Sequence, residues 1–195
     1  NGIALYAADT TDTSEQKGVK AVWANGIGVG AYNNNNIVTV AKSSDGGYIV
    51  GGNSEGYSID LGNGMTIDRN NAYNAGIIIK YNCSGQAEWG KAVDVTRDNY
   101  SEIKTVTESK DGGYIVGGCF SAGDNKNIDL GNGVMLNNNR YEPTGMIIKY
   151  SSSGETEWAK QIGDGKDRVQ SIAETRDGGF IVGGSFSSSS IDLGN

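Results

Sequence analysis

A 66-residue period runs through this chain and limits its fold more than any other feature. Asp45-Gly-Gly-Tyr-Ile-Val-Gly-Gly52 returns as Asp111-Gly-Gly-Tyr-Ile-Val-Gly-Gly118 and as Asp177-Gly-Gly-Phe-Ile-Val-Gly-Gly184, each 66 residues after the last. Ile59-Asp-Leu-Gly-Asn-Gly64 is matched by Ile128–Gly133 and by Ile191–Asn195. Gly76-Ile-Ile-Ile-Lys-Tyr81 pairs with Gly145-Met-Ile-Ile-Lys-Tyr150, and Glu88-Trp-Gly-Lys91 with Glu157-Trp-Ala-Lys160; Trp23 opens the first copy. A fixed period of this length means one supersecondary unit stacked on its neighbours. The units run over about 21–88, 89–157 and 158–195, the last cut short, after an N-terminal segment at 1–20.

Each unit reads as four short strands. A Trp strand (156–162) comes first, then Ser171–Thr175, a tight Arg176-Asp-Gly-Gly179 turn, and Phe180–Val182 running into Gly-Gly. A longer connection carrying Ile-Asp-Leu-Gly-Asn-Gly leads to the fourth strand, Met146–Tyr150, and Ser151–Gly154 turns into the next Trp strand. Apolar runs of about five residues bounded by Gly and Asp are strand-like, and no helical period competes. Asp bonds back to its own backbone and Gly accepts positive φ, so Asp-Gly-Gly is a hairpin turn. The 31 glycines and single proline, Pro143, fit that reading. Ile-Val and Ile-Ile runs are continuous rather than alternating, as they are when both faces are covered, and Gly-Gly lets chains approach closely. Tandem four-stranded antiparallel sheets form β-propellers, so the expectation is an all-β, propeller-like fold of about 2.5–3 blades, with a β-solenoid as the alternative. Three blades are too few to close a ring, which leaves open edges expected to self-associate.

The order of these motifs resembles the bacterial β-propeller repeat found in large secreted and cell-surface proteins, over about residues 20–195. The resemblance implies blades and an exported location but no particular ligand. Ser43-Ser-Asp45-Gly-Gly47, Ser109–Gly113 and Thr175–Gly179 are also similar to the Ser/Thr-x-Asp-x-Gly core of an Asp-box, with Val50, Val116 and Val182 in place of its downstream aromatic. In that family the turn is structural, so it implies a fold and no sialidase activity.

Chemistry is bounded more by what is missing. The chain has no histidine, which excludes Ser-His-Asp and Cys-His catalysis and Cys/His zinc sites. A net charge of −7 without a Lys/Arg cluster argues against nucleic acid. Arg69, Arg97, Arg140, Arg168 and Arg176 are scattered, as solvated surface groups are, and no carboxylate, Tyr or Arg is seen to break the repeat and converge on an axis. Asp60, Asp129 and Asp192, with loops 123–127 and 163–167, offer oxygens for calcium but lack EF-hand spacing, so turn capping is the favoured role. Gly26-Ile-Gly-Val-Gly30 lacks the glycine spacing of a nucleotide loop. Trp23, Trp89 and Trp158 suit inter-blade packing better than a sugar platform, and Cys83 and Cys119 read as incidental, a disulfide between them being undecidable from sequence. No apolar run spans a membrane. Asn1–Asp9, with Ala7 and Ala8 before a polar stretch, has the make-up of a secretory cleavage region.

The expectation is therefore a non-enzymatic, exported binding or scaffold protein. It has no cofactor and presents loops 53–58, 119–127 and 185–190 to a glycan or extracellular protein. The alternatives are a propeller enzyme with its active site elsewhere, or a structural spacer.

Overall fold

The computed structural model describes residues 3–9, 20–27, 34–55, 57–68, 74–93, 99–123, 127–138, 141–189 and 191, with 3–9 and 20–27 described as backbone only. The described residues are all-β, with no helix. In chain order the strands are β1 (Ile3–Asp9), β2 (Lys20–Ile27), β3 (Asn35–Lys42), β4 (Tyr48–Ser54), β5 (Ser58–Asp60), β6 (Thr66–Asp68), β7 (Ala75–Tyr81) and β8 (Ala87–Ala92). They continue with β9 (Tyr100–Glu108), β10 (Tyr114–Ser121), β11 (Asn127–Asp129), β12 (Met135–Asn137), β13 (Thr144–Tyr150), β14 (Thr156–Ile162), β15 (Arg168–Glu174) and β16 (Phe180–Ser185).

Two sheets have four antiparallel strands each, ordered β3-β4-β7-β8 and β9-β10-β13-β14, and neither closes on itself. β1–β2 and β15–β16 are two-stranded, as are the small hairpins β5–β6 and β11–β12. This is the expected propeller-like, incomplete all-β architecture. A solenoid would need parallel ladders between successive coils, whereas every named strand pair here is antiparallel.

Two details differ from the sequence reading. The Trp strand does not open a sheet; β8 and β14 close the preceding one as its fourth strand. Asn82–Gln86 and Ser151–Glu155 are tight turns, closed by N–H to carbonyl bonds of 2.8–3.0 Å, and a tight turn makes its flanking strands neighbours. The Ile-Asp-Leu-Gly-Asn-Gly connection is itself a hairpin: Ile59 faces Ile67 and Ile128 faces Leu136 across three-residue strands.

Successive sheets stack face to face. Ile49, Ile78 and Val93 of the first sheet share one core with Tyr114, Val116, Met146 and Ile148 of the second, and Ile128 and Leu136 of the second hairpin are wedged into it. The opposite face of the second sheet, through Ile115 and Ile147, packs on Val169 and Ile172 of β15. The first glycine of the first two Gly-Gly pairs makes this approach possible, since a Cβ at Gly51 would meet Ile103 Cγ2 at 2.6 Å and one at Gly117 would meet Val169 Cγ1 at 2.5 Å. The second glycine faces a β-bulge in the neighbouring strand, where no Cβ fits beside the carbonyl of Asn36, Glu102 or Arg168.

The register gives the sheets two distinct ends. One carries the Asp-Gly-Gly turns and the turns into β8 and β14. The other carries the starts of β3, β9 and β15 beside the ends of β4, β10 and β16, from which loops 53–58, 119–127 and 185–190 leave.

Candidate functional site

At the turn end, the repeated residues are consumed in holding the frame. Lys80 lies in an Ile-Ile-Ile-Lys-Tyr strand that is buried throughout, and its side chain is 1 % exposed. Its Nζ donates to Asp45 Oδ2 at 2.8 Å, Glu88 Oε2 at 2.7 Å and the Tyr81 carbonyl at 3.1 Å. Burial pushes the Lys80 pKa down, but hydrogen bonds to Asp45 and Glu88 outweigh it and hold the group above its usual range. Lys149 repeats the arrangement with Asp111 at 2.9 Å and Glu157 at 3.3 Å. The Asp111 carboxyl is held down to about 2 by the Ser109 hydroxyl, the Gly113 N–H and Lys149. The turn needs both glycines for separate reasons: Gly46 has φ 87°, and a Cβ on Gly47 would fall 2.6 Å from Lys80 Nζ. Across the junction, Glu108 Oε2 accepts from the Ser44 N–H at 2.8 Å, and its Oε1 from the hydroxyls of Ser43 and Ser44 at 3.0 and 2.8 Å. Glu174 repeats the clasp on the Lys110 N–H at 2.9 Å.

At the loop end, groups that differ between the sheets converge. Residues 36, 102 and 168 occupy one position of the period and are Asn, Glu and Arg. Arg168 Nη1 reaches Glu102 Oε2 at 3.3 Å, and Lys104 Nζ approaches the same oxygen at 2.7 Å. Burial raises the Glu102 pKa, but hydrogen bonds from Lys104 and Tyr100 and the charges of Lys104 and Arg168 bring it below its usual value. Tyr100 is pushed above the ordinary phenol range by burial and by the neighbouring Glu102. The result is an ionised carboxylate between two cations beside a neutral phenol. Sequence reading saw no such convergence. Its signal was a charge reversal in one column of the repeat, between residues 66 apart.

Next to this cluster, the fully buried Asp167 accepts from the N–H groups of Gly165 and Ser187 at 2.9 and 2.7 Å, and from the Ser188 hydroxyl. Burial raises its pKa, and these bonds with the Ser188 N–H more than reverse that. The 163–167 loop, weighed for calcium, thus turns its buried carboxylate toward N–H and O–H donors.

Two clefts flank Trp158 on the outer side of the second sheet. One, of about 430 Å³, lies between the Asp111 and Asp177 turns with Lys110, Glu157, Trp158 and Phe180 in its walls. The other, of about 520 Å³, is mostly apolar, with Ile147, Trp158, Ile162, Phe180 and Val182 in its walls beside Lys160. Trp158 is 39 % exposed, with its ring 6.3 Å from Phe180. Trp89, its counterpart, is half-buried: it packs 5.8 Å from Tyr114 and 6.3 Å from Tyr150 and donates to the Ser152 carbonyl at 3.0 Å.

The remaining candidates are dispersed. Asp60 and Asp129 accept from the N–H of Gly62 and Gly131 at 2.8 and 2.9 Å, capping their own turns. Among the described residues, no three His, Cys, Asp or Glu side chains gather as a metal site. Cys83 is exposed, Cys119 is buried, and they are not joined. Arg176 is exposed, and its carbonyl accepts from Lys110 Nζ at 2.6 Å. Arg69, Arg97, Arg140, Asp192, the side chain of Trp23, most of loop 123–127 and the end of Gly26–Gly30 lie outside the described residues. No helix among the described residues is long and apolar enough to cross a membrane. The chain matches no protein-family model and no curated protein.

Proposed function

We propose that the chain is the frame of an exported, non-enzymatic binding protein, built from the bacterial β-propeller repeat and using its loop end to hold a glycan at the cell surface. One observation carries the reading: residues that repeat are used up at the turn end, and residues that vary meet at the loop end. Loops 119–127 and 185–190 leave beside Tyr100 and Arg168, which cluster with Glu102 and Lys104, with Ser187 and Ser188 close by, and loop 53–58 leaves beside Asn35 at the same end. Such a surface offers paired charges, hydroxyls and amides in fixed positions, which is how polyhydroxylated ligands are recognised.

Glycan-array binding of the intact chain, with Arg168→Ala and Glu102→Gln alongside, tests this. Binding that falls at least tenfold in either variant is expected. Binding unchanged in both refutes the assignment of this end, and retention of extracellular protein with no glycan signal moves the reading to a protein partner.

The enzyme alternative has one specific observation in its favour, the carboxylate and phenol that break the repeat. Glu102 is held ionised between two cations, which suits it poorly as a general acid. Turnover of an array glycan that Glu102→Gln abolishes would favour the enzyme.

A further inference from the structure

The charged cluster at the loop end carries one cation more than a structural tie requires. Joining β15 to β9 takes one ion pair, and Arg168 with Glu102 at 3.3 Å provides it. Lys104 brings a second positive charge to the same oxygen, at 2.7 Å. The three groups are also unequally covered. The Glu102 side chain is 15 % exposed, against 32 % for Lys104 and 38 % for Arg168. Solvent at this point therefore meets two cations over a covered carboxylate, on a chain whose net charge is −7.

The backbone beneath is common to all three units, so it does not account for the charges. In the register of β9 with β10, Lys104 is left unpaired between Ile103, opposite Gly118, and Thr105, opposite Gly117. Val38 and Gln170 are the unpaired residues of the same bulge in β3 and β15. A bulge re-aims the side chain it carries, and this one forms whether the residue is Val, Lys or Gln. The first unit makes it with Asn36 and Val38, both neutral, so neither charge is needed for the fold.

Arg168 also has donors to spare. A guanidinium presents several N–H groups in a planar fork, and among the described residues Glu102 and Tyr100 are its hydrogen-bonding neighbours. The remaining charges of the 163–167 loop are engaged or opposed. Lys166 pairs with Glu142 at 3.6 Å, and the Asp167 carboxylate is taken up by Gly165, Ser187 and Ser188. Asp164 is exposed and offsets the positive field in part.

We propose that the glycan held at the loop end is an anionic one, and that Arg168 and Lys104 receive its carboxylate or sulfate. This rests on the reading of that end as a glycan site. The Arg168 fork matches the oxygens of either group with parallel N–H donors, and Lys104 adds charge beside it. Glu102 holds both side chains from the covered side.

The test is binding of the intact chain to an array that sets neutral oligosaccharides beside their charged counterparts. Methyl-esterified galacturonan with galacturonan, and dextran with dextran sulfate, are among the pairs. Charged members are expected to bind at least about tenfold more tightly than neutral ones, as a bidentate charge-assisted contact allows. Whether the uronate or the sulfate pair shows the larger ratio identifies the group. The preference should shrink between about 0.05 and about 0.5 M NaCl. It should disappear in Arg168→Gln, persist in part in Arg168→Lys, and weaken in Lys104→Gln. Equal binding within the pairs, binding confined to neutral glycans, or a preference that survives Arg168→Gln overturns the proposal and leaves the glycan reading standing. No binding to any member, charged or neutral, removes that reading and this proposal with it. Should Arg168→Gln fail to fold, the ratio in the intact chain and its fall in Lys104→Gln still decide.

Discussion

Replacing Gly113 by alanine perturbs the seat of a buried lysine, and the third unit provides an internal control. A Cβ at Gly113 overlaps Lys149 Nζ and the Tyr150 carbonyl. The carbonyl belongs to a strand buried throughout, so the lysine is the group that must yield. Overpacking a filled site costs about 1–3 kcal/mol. Displacing the ammonium from Asp111 and Glu157 adds about 1 kcal/mol, kept small because both carboxylates are half exposed. The total is about 3 kcal/mol, which for a chain of this size lowers Tm by roughly 6–12 °C. Gly179 occupies the same turn position, but its nearest neighbour is the Thr175 hydroxyl at 3.1 Å, which can rotate away. Neither glycine has positive φ, so backbone strain is equal in the two. Gly179→Ala is expected to cost under about 0.5 kcal/mol, as open surface substitutions do. Thermal unfolding by circular dichroism measures both. Equal shifts in the two variants would refute the claim that the buried lysine dictates the second glycine.

Three further outcomes are expected. Thiol titration of the native chain at pH 8 should count one reactive cysteine, Cys83, and a second only in denaturant, because Cys119 is fully buried and burial pushes its thiol up to about 11. The Asp111 pKa is depressed from 3.8 to about 2 in the folded chain, so its contribution is fully present above pH 4 and lost as pH falls through 2. Because this carboxylate is half exposed, unfolding free energies from urea titrations at pH 5 and pH 2.5 should differ by under about 1 kcal/mol more in the parent than in Asp111→Asn. Glu108→Ala removes three hydrogen bonds that tie the first sheet to the second and should cost about 2 kcal/mol in chemical denaturation, with Glu108→Gln recovering part of it.

The frame was readable in the residues because its turns are local. Asp-Gly-Gly fixes a hairpin through one side chain and one positive φ, and Gly-Gly marks a close approach, so both survive inspection without knowledge of what lies across the junction. Sheet phase was not readable in that way: a period can be cut anywhere, and only the tightness of Ser151–Glu155 assigns β14 to the sheet behind it. The hairpins β5–β6 and β11–β12 were missed as strands because three residues carry almost no alternation. The burial of the lysines in Ile-Ile-Lys-Tyr was not readable, because it depends on two carboxylates, one from the Asp-Gly-Gly turn and one from the neighbouring strand, which no window of sequence shows together. The Glu102–Arg168 pair failed for a related reason, since its partners sit one period apart and each looks like an ordinary solvated charge.

The hairpin wedged between the two full sheets also sets an order of assembly. Ile128 and Leu136 seal the face carrying Ile49 and Ile78, so a sheet finished at Ala92 keeps one apolar side uncovered until the chain has grown some forty residues further. During synthesis from the N-terminus, every unit must wait for its successor. A pause in translation between residues 93 and 136 would therefore leave that face open to aggregation at a point where the sheet itself is already complete.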